Sequence, residues 1–217
     1  MWIVRILGMA PNLSDMPPTP PGVEVWCANE KRGFLKRLPR IIEAAEWTHW
    51  FNFHSRQHWM EKDPSTVDWY KAQDGSKPLY TQKFWADLPG CVKFPRQQIQ
   101  EAFSINGKPN RYFTCSIAWL IAFALFEKVD RIELWGFALS DTKPGERYVF
   151  ERPCFAYWVQ QARNRGIDVT YQDIITRLYE ANELIPGDPE TYDGLLYGFS
   201  TKPEPDWDPV LETFIGE

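Results

Sequence analysis

The sequence predicts an α/β protein with a Rossmann-like, mostly parallel sheet, helices on both faces and a Pro-rich C-terminal arm. The chain opens with two apolar segments, Trp2–Leu7 and Val23–Cys27, separated by a loop that starts at Gly8, as expected of two buried strands. A helical pattern followed directly by a strand pattern then occurs twice. The two units are Thr114–Lys128 with Arg131–Gly136, and Arg152–Arg165 with Ile167–Thr170. Successive helix–strand units favour parallel strands joined by crossover helices.

The segments between these units complete the predicted sheet. The predicted elements are a helix at Leu35–Glu46, a strand at Trp47–His54 and short strands at Pro78–Thr81 and Val92–Phe94. Thr114 is a typical N-cap residue for the long apolar helix, and Gly166 is a typical residue after a helix end. We expect a Rossmann-like domain at residues 1–185 and an extended C-terminal arm at residues 186–217.

The arm has five prolines among acidic and aromatic residues. One alternative is that it packs on its own domain through Tyr192, Leu195, Tyr197, Phe199 and Trp207. The other is that it docks on a second subunit, which would make a homo-oligomer, or covers a ligand, as irregular segments often do.

Composition excludes several classes of protein. With 217 residues, of which 44% are apolar, the chain can bury a full core. The net charge of −5 argues against nucleic acid as a global electrostatic partner. The longest apolar segment, Ile117–Phe126, is much shorter than the ~20 residues of a membrane span, so we expect no membrane partner.

The four cysteines, Cys27, Cys91, Cys115 and Cys154, are far apart in sequence. They form no C-x-x-C pair, so we predict no metal site, and reduced thiols in a cytoplasmic protein. For a phage-encoded protein this compartment would be the host cytoplasm.

Polar residues that follow predicted strands or open predicted helices are the candidate ligand-binding residues. They are Gly8, Asn12, Asn29, Arg111, Thr114, Ser116 and Arg152. Hydroxyl groups and backbone N–H groups at a helix start can bind phosphate, and a guanidinium matches phosphate oxygens in a bidentate manner. The alternatives are an ordinary N-cap for Thr114, turn formation for the two asparagines and surface ion pairs for the two arginines.

Three residues are candidate catalytic acids or bases: His54, Asp141 and Glu151. His54 ends the third predicted strand, where ligand-binding residues collect, and the two carboxylates border a polar loop after the Arg131–Gly136 strand. His49 and His54 are an odd number of residues apart and would point to opposite faces of a strand, which argues against a shared metal.

Four short motifs carry a resemblance to a known superfamily. They are Gly8-Met9-Ala10-Pro11-Asn12-Leu13, Trp26-Cys27-Ala28-Asn29, Tyr112-Phe113-Thr114-Cys115-Ser116-Ile117-Ala118 and Ile132-Glu133-Leu134-Trp135-Gly136-Phe137. Over roughly residues 1–170 the chain resembles the superfamily of bacterial sialyltransferases and archaeal-type 6-hydroxymethylpterin pyrophosphokinases. It also looks like uncharacterised phage-encoded proteins with this layout.

The resemblance implies a Rossmann-like fold in which the first loop lies at the phosphates or sugar. It further implies that Asn29 contacts the ligand and that the turn with Thr114 and Ser116 binds the nucleotide. The chain departs from the superfamily at Met9 and Ala10, where a polar residue and a second glycine are usual, and at Asn12, where Ser is usual. The superfamily places its catalytic histidine in a segment after the long helix, whereas this chain has no histidine beyond His58.

The sequence thus predicts a nucleotide- or nucleotide-sugar-binding protein, first as a glycosyltransferase-like transferase. The alternatives are a non-catalytic phage-type binder that sequesters a nucleotide-derived signal, and a structural or assembly protein. The small-molecule partner is a nucleotide ligand, and the cofactor stays open between a nucleotide and a nucleotide sugar.

Overall fold

A computed structural model describes residues 1–29, 31–137, 147–171, 186–190, 192 and 197, with the backbone only for 147–150. Within these ranges seven strands form one all-parallel sheet in the order β5-β4-β3-β2-β1-β6-β7. The strands are β1 Ile3–Leu7, β2 Val23–Ala28, β3 His49–Asn52, β4 Leu79–Thr81, β5 Cys91–Lys93, β6 Arg131–Trp135 and β7 Asp168–Tyr171. The predicted α/β, Rossmann-like class is confirmed.

Helices cover both faces of this sheet. They are α1 Lys31–Arg37, α2 Arg40–Glu43, α3 Arg56–Lys62, α4 Pro64–Lys71, α5 Arg96–Ala102, α6 Ser116–Phe126 and α7 Arg147–Arg163. A 3-10 turn, Pro11–Asp15, follows β1. The sequence analysis missed α3, α4 and α5, which are short and lack a clear apolar period.

Strand alternation divides the interior into two cores. Core 1 lies between one face of the sheet and α5–α7, and it includes Ile6, Trp26 and Trp119. Core 2 lies on the opposite face under α1–α4, and it includes Val25, Phe34 and Trp59. Neighbouring strand residues alternate between the two cores, as the two-residue period of a strand requires.

Strands β2 to β5 lie on one side of β1, and β6 and β7 lie on its other side, so the order in which strands are added reverses between β1 and β6. The connection from β1 runs over core 2, because its turn residue Leu13 packs there, whereas α7, which follows β6 in the chain, packs in core 1. In open parallel sheets this switch point is where ligands bind, outside the carboxyl ends of the strands. We call that side of the sheet the carboxyl edge.

Helix α6 is the centre of core 1. Its residues Ile117–Leu125 are all buried, which explains an apolar run without a polar face. The indole of Trp119 stacks on the Phe113 ring with centroids 3.6 Å apart, so the segment before the helix is held against its first turn.

Several predicted boundaries are wrong for local reasons. Pro39 divides the predicted Leu35–Glu46 helix into α1 and α2, because proline has no N–H for the helical ladder. The N-cap of α6 is Cys115 and not Thr114. Helix α7 begins at Arg147, so Arg152 does not open it and Glu151 lies within the helix and not in a loop.

At the described residues of the arm, the chain packs on its own domain. Gly187 N–H donates to the Pro153 carbonyl at 3.0 Å, and the Tyr192 ring lies 5.1 Å from that of Tyr112. Tyr197 packs against core 1. Leu195, Phe199 and Trp207 lie outside the described residues.

Candidate functional site

Asn29 is fixed at the carboxyl end of β2 by its backbone. Its N–H donates to the Phe51 carbonyl at 2.8 Å, and its carbonyl accepts from Trp50 Nε1 at 2.8 Å. The residue has φ of +70°, a left-handed conformation that asparagine tolerates better than most residues. The β3 strand thus holds Asn29 in one orientation, with its side chain on the carboxyl edge.

The Asn29 side chain reaches the first turn of α6. Its Nδ2 donates to Ser116 Oγ at 3.4 Å, while its Oδ1 is buried and has no hydrogen-bond partner among the residues that the structure describes. An unpartnered buried acceptor costs about 1–3 kcal/mol, which a ligand donor group would recover. Cys115 provides no side-chain cap for α6, so the positive helix end faces this acceptor without a capping group.

Thr114 precedes Ser116 by two residues, and it is hydrogen-bonded to Cys154. Its backbone N–H donates to Cys154 Sγ at 3.4 Å, and its hydroxyl also donates to that sulfur. Cys154 Sγ in turn donates to the Tyr112 carbonyl at 3.4 Å. Thr114 therefore connects the start of α6 to α7 and does not serve as the predicted N-cap.

Cys115, the N-cap of α6, and Cys154, on α7, are both buried. Burial raises the pKa of Cys115 well above its usual value. Burial also raises the pKa of Cys154, but hydrogen bonds from Cys115 and Thr114 outweigh it and lower that pKa overall. The carboxylate of Glu151, itself buried, raises the pKa of both thiols. The predicted base Glu151 therefore acts electrostatically on both thiols.

Gly8 lies at the switch point, where its N–H donates to the Trp135 carbonyl at 2.8 Å. A Cβ at Gly8 would lie 2.5 Å from the Gly136 carbonyl oxygen and 2.6 Å from the Phe137 ring. The close packing of the β1 and β6 ends therefore leaves no room for a side chain at Gly8. Asn12 strengthens the same junction, because its Nδ2 donates to the Phe137 carbonyl at 3.5 Å.

His54 follows β3 on the carboxyl edge. Its backbone N–H donates to Asn52 Oδ1 at 3.2 Å, which fixes the turn out of the strand. Its Nε2 is hydrogen-bonded to the Tyr197 hydroxyl at 3.2 Å, and its ring lies 4.4 Å from that of His58. His54 is therefore in contact with the arm.

The remaining predicted site residues are distributed around this edge. Arg111 is exposed and precedes Thr114, whereas Arg152 is half-buried on α7. Asp141 lies outside the described residues. Asn29, Thr114 and Ser116 are thus brought together, Gly8 and Asn12 share the adjoining junction, and His54 lies on the neighbouring strand.

Sequence reasoning missed the bond between the Tyr197 hydroxyl and His54, and it missed the contact between Thr114 and Cys154. Thr114 and Cys154 meet because α6 and α7 pack side by side, and no spacing pattern in the sequence indicates this. Within the described ranges no group of three or more His, Cys, Asp or Glu side chains could hold a metal ion. Among the same residues, no helix combines the length and apolarity needed to cross a bilayer.

No protein-family model, curated protein or solved structure matches this chain.

Proposed function

We propose that this protein binds a nucleotide or a nucleotide sugar at the carboxyl edge of its sheet. The observation that carries the proposal is the Asn29–Ser116 pair, in which a buried amide oxygen without a partner stands at the uncapped start of α6. A helix start attracts phosphate through its N–H groups and dipole. The amide oxygen would accept from a ribose, sugar or base donor on the same ligand.

The proposed ligand position is on the α6 side of the edge. The Gly136 carbonyl and the Phe137 ring occupy the space beside Gly8, which supports phosphate contact at Ser116 over contact at Gly8. Thr114 contributes by holding the turn before Ser116 through its two bonds to Cys154.

The reaction we propose is transfer of a sugar from a nucleotide donor, with His54 as the base that accepts the proton of an acceptor hydroxyl. The support is its place after β3, with its turn fixed by Asn52 and its ring nitrogen bonded to Tyr197. The acceptor oxygen would form the new bond to the anomeric carbon, and the nucleotide would leave with the electrons of the broken bond.

A second candidate function is retention of a nucleotide-derived signal without chemistry. Met9, where the superfamily resemblance expects a polar residue, packs its sulfur against α1, 2.2 Å from where a Cβ on Gly33 would lie. The first loop therefore contributes an apolar contact to core 2 at this position. This observation favours a binder that has no donor-sugar recognition in that loop.

The deciding experiment is a thermal-shift panel of nucleotides and nucleotide sugars, with mass spectrometry of small molecules released on denaturation. A compound that binds only the folded protein raises its apparent stability by mass action. A nucleotide sugar that stabilises the protein and is consumed supports the transferase, and consumption should be lost in His54→Gln. A nucleotide retained unchanged supports the binder. A panel with no stabilising compound would overturn both proposals and favour a structural role.

A further inference from the structure

The hydroxyl of Tyr197 meets the histidine that we propose as the base. Its oxygen lies 3.2 Å from His54 Nε2, and the centroids of the two rings are 5.5 Å apart. A general base takes a proton from a group within hydrogen-bond distance, about 2.6–3.2 Å. The hydroxyl that stands at this distance from His54 thus belongs to the chain itself.

Two further hydrogen bonds hold Tyr197 against the start of α6. Its N–H donates to the Phe113 carbonyl at 2.9 Å, and its carbonyl accepts from Trp119 Nε1 at 3.1 Å. Phe113 and Trp119 lie three residues before and three residues after Ser116, where the proposed ligand has its phosphates. The backbone of Tyr197 is therefore fixed beside the proposed donor position without help from its hydroxyl.

The end of β3 and the first turn of α3 position His54 on the other side of this contact. The His54 N–H donates to Asn52 Oδ1 at 3.2 Å, and its ring lies 4.4 Å from the ring of His58. The His58 N–H in turn donates to Oγ of Ser55, the N-cap of α3, at 3.2 Å. The imidazole and the phenol that it meets are thus both held by the described fold.

The donor position and the Tyr197 hydroxyl share one edge of the sheet. Strands β2 and β3 are neighbours, so Asn29, which follows β2, and His54, which follows β3, both lie on the carboxyl edge. Asn29 is bonded to Ser116, and His54 is bonded to Tyr197. Both bonds therefore end at the start of α6, and a nucleotide sugar at Asn29 and Ser116 would have the Tyr197 hydroxyl as a neighbour.

We propose that the protein attaches a sugar to its own Tyr197. The inference rests on the proposed sugar transfer, for which it names the acceptor. The phenol oxygen attacks the anomeric carbon of the bound nucleotide sugar, while its proton moves to His54 Nε2. The bond from that carbon to the phosphate oxygen breaks, and the nucleotide leaves with the electron pair. One nucleotide sugar and one phenol give one O-glycosyl tyrosine, one nucleotide and one proton, so atoms and charges balance.

The chemistry of the two groups suits this step. A phenol is a stronger acid than an aliphatic hydroxyl, so a neutral imidazole can take its proton as the new bond forms. The nucleotide that leaves carries negative charge on its phosphate. The start of α6 has no side-chain cap from Cys115, and its positive end would stabilise that charge.

Tyr192 offers a matched control within the arm. Tyr192 and Tyr197 are both half-buried, and both pack against core 1. The Tyr192 ring lies 5.1 Å from that of Tyr112. Among the contacts that the structure describes, His54 is bonded to Tyr197 and not to Tyr192. The two tyrosines are therefore similar in burial and differ in their contact with the proposed base.

The test is incubation of the native, full-length protein with UDP-glucose, UDP-N-acetylglucosamine, GDP-mannose or CMP-N-acetylneuraminate, each alone, followed by mass analysis after denaturation. With a donor that the protein accepts, its mass should rise by one sugar residue, and an equal amount of nucleotide should be released. Fragmentation by electron transfer should assign the sugar to Tyr197, in the tryptic peptide that begins at Leu178. A sugar already present on Tyr197 after purification supports the proposal in the same way.

Variants and kinetics separate this site from others. Tyr197→Phe should lose the mass increase, whereas Tyr192→Phe should keep it. His54→Gln should lose it within the same time, because removal of a general base slows transfer by roughly 10²–10⁴-fold. The initial rate per molecule should not change with protein concentration, since the base and the acceptor belong to one chain.

Two results would overturn this inference and leave the proposed function standing. The first is release of the nucleotide, or transfer of the sugar to an added alcohol, with no sugar on Tyr197. The second is a sugar on Tyr192 or another residue while Tyr197 stays unmodified. A panel in which no donor stabilises the protein or is consumed would overturn the inference and the proposed function together. The wild-type mapping decides the matter even if a variant fails to fold.

Discussion

Asn29 Nδ2 donates to Ser116 Oγ at 3.4 Å, and this bond joins the carboxyl end of β2 to the first turn of α6. The two residues are far apart in sequence and meet because α6 packs over the β2 end of the sheet. Hydrogen bonds with the Phe51 carbonyl and the Trp50 indole hold the Asn29 backbone in place. The Asn29 side chain, with its buried Oδ1, is held to the start of α6 through Ser116.

Replacing Asn29 by glycine should separate binding from stability. Glycine adopts the left-handed φ of +70° without strain, and the change removes a buried acceptor that has no partner. We expect the free energy of unfolding to change by less than about 1 kcal/mol. Affinity for a stabilising nucleotide should fall by ~1–3 kcal/mol, measured by isothermal titration calorimetry.

Asn29→Ala is the matched control, because it removes the same side chain and keeps a Cβ. The left-handed conformation should then destabilise the fold by roughly 1–2 kcal/mol. Ser116→Ala and Thr114→Ala test the two neighbouring hydroxyls in the same assay, with an expected loss of ~1–3 kcal/mol in affinity each. Unchanged affinity in all the variants, with an intact fold, would place the ligand elsewhere.

Gly8→Ala should destabilise the junction of β1 and β6. The new Cβ would meet the Gly136 carbonyl oxygen at 2.5 Å, and backbone cannot move aside as a flexible side chain can. Overpacking of this kind costs about 1–3 kcal/mol, seen as a lower midpoint in urea unfolding. Phe137→Ala in the same chain should not restore stability, since it leaves the Gly136 carbonyl in place.

Gly33→Ala is the control for this prediction. Its Cβ would meet the sulfur of Met9, which is the far end of a flexible side chain, and alanine is the better helix former. The urea midpoint should stay close to that of the wild type. A Gly8→Ala protein as stable as Gly33→Ala would mean that the junction is looser than described.

The fold could be predicted because its signals are local. Strands such as β1 and β6 are short apolar runs, and α6 is an apolar run with a helix stop, so their periods and ends are visible in the sequence. Helices α3–α5 could not be predicted in this way, because tertiary packing stabilises them more than their own residue preferences do. Predicting the break between α1 and α2 would have required giving Pro39 more weight than the apolar pattern around it.

Single residues of the site could be predicted from the sequence, but the contacts between them could not. Asn29 and Ser116 were predicted because residues after strands and at helix starts collect at the carboxyl edge. The bond between them depends on where α6 packs, and the Thr114–Cys154 contact depends on how α6 and α7 pack together. The close packing at Gly8 depends on β6 as its neighbour, which lies more than 120 residues later.

His49 should make stability depend on pH below about 6.5. Burial lowers the pKa of His49 below its usual value of 6.5, against the opposing charge of Glu24, whose Oε2 lies 3.4 Å from Nδ1. As pH falls, the unfolded chain therefore binds the proton before the folded protein does. The contribution is fully present above pH 6.5 and is lost as pH falls toward the folded pKa.

The measurement is urea unfolding at several pH values between 5 and 7.5, roughly the range in which histidine titrates. His49→Gln should lose part of the decrease seen in the wild type. Glu24→Gln should steepen the decrease, because the carboxylate that raises the pKa of His49 is gone. If the unfolding free energies of the wild type and His49→Gln changed equally with pH, the result would contradict the burial of His49.

Tyr197→Phe should break the hydrogen bond between the Tyr197 hydroxyl and His54 while leaving the backbone hydrogen bonds of Tyr197 in place. Its N–H still donates to the Phe113 carbonyl at 2.9 Å, and its carbonyl still accepts from Trp119 Nε1 at 3.1 Å. Loss of the hydroxyl bond should cost about 0.5–1.5 kcal/mol in unfolding free energy.

A double-mutant cycle of Tyr197→Phe with His54→Ala should give a coupling energy of similar size, since the two side chains touch. The same cycle with Tyr192→Phe, whose ring lies against Tyr112, should give a coupling energy near zero. Equal coupling in both cycles would show that the arm acts on His54 through its general packing and not through the Tyr197 hydroxyl.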